Sequence, residues 1–279
     1  MSQPASVIEL IETSINSNWE LPAFTDYGKN TLSFGEVAGK IAYWHHIFDA
    51  LNIDKGEKIA VLGKNSTNWG IVYLSAVSYG AVIVPILPDF QPENIQHILN
   101  HSESQLLFAD SNLADKLDWD QLEELCAIYS LNNFELVHTG NKKTANNIRK
   151  AEKSYSDEPA AGPVSFGRFK PDAPLALIYT SGTTGFSKGA LLPHRSLDSN
   201  IQYAHENMPL QPGDRILSFL PMAHAFACAF EFLFPFTRGC HITFLSKMPT
   251  PNVLLKAFGE VKPRLIFFVP LILEKIYKK

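Results

Sequence analysis

Apolar positions recur along this chain in two alternating rhythms. Ser33 and Glu36 stand at capping-box spacing, and Val37, Ile41, Trp44, Phe48 and Leu51 then follow at intervals that place them on one face of a helix. Gly56 marks a turn, and Lys58-Ile59-Ala60-Val61-Leu62 reads as a short strand. Residues 69–79 read as a second helix, capped by Ser66 or Thr67 and stopped at Gly80, with the β-branched run Ala81-Val82-Ile83-Val84-Pro85 behind it. Pro92 suits the first turn of another helix, with Ile95, Ile98 and Leu99 on its core face, and 105–109 is the next strand. Farther along, 175–179, 215–220, 241–245 and 264–269 read as strands, and 196–208 and the apolar 223–236 as helices.

Short, nearly all-apolar strands that alternate with helices predict an α/β fold, with parallel sheets buried between helical layers. Two stretches stand apart. From Asn65 to Pro88 no residue is charged, which is long enough to cross a bilayer. The cap, the glycine turn and the β-branched run inside it favour a buried helix, turn and strand instead. The stretch 140–174 breaks the alternation with Lys142, Lys143, Arg149, Lys150 and Lys153, followed by prolines and glycines. It reads as a solvated linker or mobile loop, against the alternative of a patch for anionic lipid or a partner. A last helix starts at Pro270 and the chain stops inside it, so residues 1–279 are expected to be the first portion of a larger domain.

Composition narrows the function classes. Apolar residues make up 46% of the 279, enough for a sizeable core, and 24 basic against 28 acidic residues give a net charge of −4, which offers nothing to nucleic acid. Cys126, Cys228 and Cys240 have neither metal-ligand nor redox spacing, so a reducing compartment, the cytoplasm, is expected. Asn65-Ser66-Thr67 fits a glycosylation acceptor, a match attributed to chance.

The densest chemistry is Thr180-Ser181-Gly182-Thr183-Thr184-Gly185-Phe186-Ser187-Lys188-Gly189, directly after a buried strand. Glycines let backbone N–H groups approach phosphate oxygens, the hydroxyls of Thr180, Ser181, Thr183 and Thr184 add donors, and Lys188 adds a mobile positive charge. A threonine, taken as Thr184, can also ligate magnesium. A Walker loop is excluded because no Gly-Lys pair has another glycine five positions before it, with four residues between. Gly185-Phe186-Ser187-Lys188-Gly189 matches the esterase elbow, but the first glycine lies too far from the strand end.

This loop resembles the phosphate-loop signature of the adenylate-forming superfamily, with Ser187 where proline is usual before the lysine. The resemblance extends over nearly the whole chain: Thr31 to Glu36, Lys55 to Ala60 with Asn65-Ser66, Tyr79 to Pro85, Pro193 to Leu197, Leu220 to Phe226, and Val269 to Tyr277. The last two segments are similar to those of long-chain fatty acid–CoA ligases, with Leu271 where arginine is common.

The resemblance implies stacked, mostly parallel sheets sandwiched by helices. It implies ATP, Mg2+, a fatty acid and coenzyme A as ligands and cosubstrates. It places Thr180, Ser181, Gly182, Thr183, Thr184, Gly185 and Lys188 on phosphate and His224 beside the acyl group, with Lys188 and His224 as the catalytic candidates. It leaves the adenine, ribose and glutamate–metal contacts and a further catalytic lysine beyond residue 279. Peripheral contact with the inner face of a membrane is compatible with such a substrate. Two other functions stay open: an adenylation domain that loads a carrier protein, and a non-catalytic truncated binding protein. Phe226, Phe230 and Phe234, at i, i+4 and i+8, are expected to form a core face rather than line an acyl tunnel.

Overall fold

Helix α1 (Val7–Ser17) starts at a capping box between Ser6 and Glu9, and leads through β1 (Pro22–Asp26) and β2 (Thr31–Ser33) into α2 (Phe34–Ala50). The predicted box at the head of α2 is present: Glu36 N–H donates to Ser33 Oγ at 3.1 Å, and Ser33 N–H donates to Glu36 Oε2 at 2.7 Å. Strand β3 (Lys58–Leu62), α3 (Thr67–Tyr79) and β4 (Val82–Ile86) follow, then α4 (Pro92–Ser102), β5 (Ser104–Ala109), the short α5 (Ser111–Ala114), β6 (Ala127–Ser130) and β7 (Leu136–Thr139). Next come α6 (Lys142–Ser154), β8 (Pro174–Thr180), β9 (Lys188–Pro193), α7 (His194–Asn207) and β10 (Arg215–Ser218). A helical run of α8 (Ala225–Ala227), a π-turn (Cys228–Leu233) and α9 (Phe234–Thr237) leads to β11 (His241–Phe244) and α10 (Pro251–Val261). The computed structural model describes residues 5–155, 162–180, 188–247, 249–270 and 273–274.

The strands form two sheets. The larger runs β7-β6-β5-β3-β4-β8-β9, with β6, β5, β3, β4 and β8 parallel and an antiparallel strand at each edge. The smaller runs β10-β11-β1-β2, parallel except for β2. Between them lies α3, which touches β1 of one sheet and β3 and β4 of the other. Its uncharged sequence is explained by that position, since all its residues but the half-buried Asn68 are buried, Gly70 included. Gly80 ends the helix at φ +96°, a backbone conformation that side chains disfavour, and the Phe169 ring lies 2.5 Å from where a Cβ would stand.

Period-two alternation then assigns each strand residue to a layer. Ile59 and Val61 of β3 join the central core with Trp44, Phe48 and Phe108, while Ala60 and Leu62 face α4 through Ile95, Ile98 and Leu99. On the far side of the smaller sheet, Leu217 and Phe219 pack against Leu254, Ala257 and Val261 of α10. The result is helix, sheet, helix, sheet, helix, as the resemblance implied. Each fully buried Leu, Ile or Phe in these layers contributes roughly 1.5–3 kcal/mol.

Three expectations change. The stretch read as a linker begins with α6, and its extended continuation is fastened to α1: Asn16 and Val164 exchange two hydrogen bonds, and Arg168 pairs with Glu12 at 3.0 Å. The predicted strand 264–269 reduces to one bridge between Leu265 and Ile216. The apolar helix 223–236 contains the π-turn, which shifts its register, so that Phe234 is buried in the core while Phe226 is half exposed and packs with Phe230 and Phe267. Among the described residues no helix is long and apolar enough to cross a membrane, and all three cysteines are free.

Candidate functional site

Because β3, β4 and β8 run parallel, their carboxyl ends share one edge of the larger sheet, and β10 and β11 likewise end together in the smaller one. Open α/β sheets bind ligands at this edge. The segments leaving β3, β4, β10 and β11 wall a cleft of about 190 Å³ that includes Lys64, Asn65, Asp89, Met222, Ser246 and Lys247. Gly63 lets the first segment turn under Asp110, whose carboxylate accepts the Lys64 N–H at 3.1 Å; a Cβ at Gly63 would stand 2.5 Å from Leu131.

Buried polar groups hold the floor of the cleft. Asn65 donates through Nδ2 to the Leu220 carbonyl at 2.8 Å and to Ser218 Oγ at 3.2 Å, and its Oδ1 accepts the Met222 N–H at 2.9 Å. With both ends of its amide occupied and its side chain buried, Asn65 has no room for a glycan. Glu231 reaches the same turn from the π-turn. Its Oε2 accepts the N–H groups of Phe219 and Leu220, both at 2.9 Å, while Oε1 makes no hydrogen bond. Burial pushes this carboxyl up to about 8, against the pull of the two N–H donors and the nearby Ser218 hydroxyl. The loop that leads to His224 is therefore clamped from two sides.

Of the residues expected on phosphate, Thr180 and Lys188 are opposite partners across β8 and β9, both exposed, with Thr180 at the carboxyl end of β8. The loop thus leaves and re-enters the sheet at the edge that carries the cleft. Ser181, Gly182, Thr183, Thr184 and Gly185 lie outside the described residues, and with them the expected magnesium ligand. Among the described residues no cluster of His, Cys, Asp and Glu is placed to hold a metal. At the base of the hairpin Tyr179 is buried, its hydroxyl 2.7 Å from His101 Nδ1, and burial raises it to about 12.

His224 follows the cleft-lining Ala223 and is exposed at the start of α8; its N–H donates to the Pro221 carbonyl at 3.0 Å, and its ring makes no hydrogen bond to a described residue. Asn65, Asp89 and Glu231 were not read as site residues from the sequence. For Glu231 a signal exists, since it is the single charged residue between Ala223 and Thr237.

The AMP-binding enzyme family model matches residues 11–279. The long-chain-fatty-acid–CoA ligase heimdall of Drosophila melanogaster is 25% identical over 94% of this chain and 39% of its own length. A long-chain-fatty-acid–[acyl-carrier-protein] ligase, AEE15 of Arabidopsis thaliana, is 28% identical over 88% and 35%. The sulfoacetate–CoA ligase of Cupriavidus necator is 29% identical over 75% and 39%. The chain therefore spans well under half the length of these relatives. Among solved structures, ATP-bound MatB from Rhodopseudomonas palustris superposes with a TM-score of 0.79 at 18% identity, covering 99% of this chain and 52% of that one. The five-layer fold, the cleft at the carboxyl edge and the match over nearly all its residues make this chain a member of the AMP-binding enzyme family.

Proposed function

We propose that the protein activates a long-chain fatty acid with ATP and passes the acyl group to coenzyme A. The observation that carries this reading is the glycine- and hydroxyl-rich sequence between Thr180 and Lys188, two residues paired at the carboxyl end of β8. In the proposed reaction the fatty carboxylate attacks the α-phosphorus of ATP, the bond to the bridging oxygen breaks, and pyrophosphate leaves with the negative charge. Lys188 and the loop donors offset that charge as it develops, the point at which preorganised donors act most strongly. The coenzyme A thiolate then attacks the acyl carbonyl and AMP departs. His224 is assigned beside the acyl carboxylate, on a turn that Asn65 and Glu231 keep in place. A magnesium ion would supply charge neutralisation on the triphosphate, with Thr184 as the ligand that the sequence offers.

Two relatives named for long-chain fatty acids support the acyl class, and the acyl-carrier-protein ligase among them favours a carrier thiol as the second possible acceptor. The test is pyrophosphate exchange into ATP by the full-length protein, followed by acceptor competition. Exchange stimulated by lauric through stearic acid, and product on coenzyme A, is expected. Exchange driven by amino acids or sulfoacetate, and not by these fatty acids, would remove the proposal.

A further inference from the structure

We infer that the exposed face of α6 is a docking surface for an anionic lipid bilayer. The helix is fixed to the body of the protein on its other side. Ile148 and Ala151 are buried, the Ala151 carbonyl meets His46 Nε2 at 3.1 Å, and the Tyr155 hydroxyl donates to the Gly39 carbonyl at 3.1 Å. Asn141 caps its start through the Thr144 N–H at 2.9 Å. At 100° per residue, Lys142, Lys143, Arg149, Lys150 and Lys153 all fall within an arc of about 120° opposite that buried stripe.

All five are exposed, and none has an ion-pair partner among the described residues. Glu152 is the only acid on the helix, which gives α6 a charge of +4 in a chain whose net charge is −4. A merely solvated helix gains by mixing signs at i and i+4, whereas here Arg149 and Lys153 repel at that spacing. The arc fits a planar surface of fixed negative charge. It carries no apolar side chain, so the contact is superficial and reversible by salt rather than an insertion. The choice of a bilayer over other polyanions rests on the fatty-acid reading, since such acids partition into membranes.

Vesicle flotation tests the surface without any acyl activation, so the docking and the ligase reading can fail separately. The chain should bind vesicles of phosphatidylcholine mixed with phosphatidylglycerol, and not phosphatidylcholine alone. Each cation near an anionic surface strengthens binding roughly fivefold. Lys142→Glu, Lys143→Glu, Lys150→Glu and Lys153→Glu together should therefore weaken it by at least about a hundredfold, with an unchanged circular dichroism spectrum. A control with the same change in net charge, Lys116→Glu, Lys256→Glu, Lys262→Glu and Arg264→Glu, should retain most of the binding. Equal loss in both variants overturns the assignment to α6. So does wild-type protein that ignores the phosphatidylglycerol vesicles, or that binds an oligonucleotide through these lysines but no vesicle.

Discussion

Replacing Glu231 with glutamine removes one ionisation from the middle of the fold while keeping an acceptor for the Phe219 and Leu220 N–H groups. Folding raises this carboxyl from 4.5 to about 8, and at about 1.4 kcal/mol per pH unit that difference amounts to roughly 4–5 kcal/mol. The sign follows from proton counts. Between these values the folded protein holds a proton that the unfolded chain has lost, so stability falls as pH rises through the window and levels off above its upper end. In Glu231→Gln that descent should be absent. The stability difference between variant and wild type should then grow from small values below 4.5 to several kcal/mol above 8, in favour of the variant. Urea unfolding midpoints across this range, at constant m-value, measure it directly. Parallel pH profiles for the two proteins would refute the reasoning, because they would mean that the carboxyl is ionised at no special cost. Glu231→Leu is the complementary variant: it strands two buried N–H groups and should cost ~1–3 kcal/mol for each.

Lys188→Ala in the full-length protein should slow acyl-adenylate formation about a hundredfold and leave thiol transfer nearly unchanged, since pyrophosphate departs only in the first step; rapid-quench kinetics of the two half-reactions would expose equal slowing. Gly80→Ala should destabilise the fold by at least ~1 kcal/mol, because it combines an unfavourable φ with displacement of the Phe169 ring, and a melting temperature at or above wild type would contradict that. The 279-residue chain by itself should fold yet form no acyl-CoA, because phosphate donors alone leave the carboxylate and the nucleotide unpositioned, at a cost of several kcal/mol in barrier reduction; turnover that Lys188→Ala abolishes would show the opposite.

What the sequence disclosed, it disclosed through local rules. The Ser33–Glu36 box, the stop at Gly80 and the apolar run of β3 depend on neighbours within a few residues, so they can be read directly. The helix α6 was obscured because its apolar content is only Ile148, Ala145 and Ala151, too thin a stripe to stand out among lysines. The π-turn has no periodic signature at all. It is set by tertiary demands, the burial of Phe232 and Phe236 around Phe24 together with the reach of Glu231 to the Phe219 turn. At the site, the loop residues announced themselves by composition, whereas Asn65 and Asp89 join the cleft only because strands distant in sequence end at the same edge.

The central position of α3 has a consequence for how the chain is made. One of its faces belongs to the smaller sheet, where Phe24 and Thr25 of β1 pair with Ile242 and Thr243 of β11, 218 residues later. At synthesis rates of about 5–20 residues per second, β1 waits roughly ten to forty seconds for its parallel neighbour. Through that interval the larger sheet can assemble around β3, β4 and β5, but the side of α3 that should meet β1 and Phe232 has only an incomplete layer against it. An aromatic surface of Trp69 and Tyr73 is then open to the first apolar partner it meets. Nascent chains arrested between β9 and β11 are accordingly the ones that should engage ribosome-associated chaperones and aggregate most readily. Synonymous codons that slow translation there would lengthen that exposure without altering a single residue.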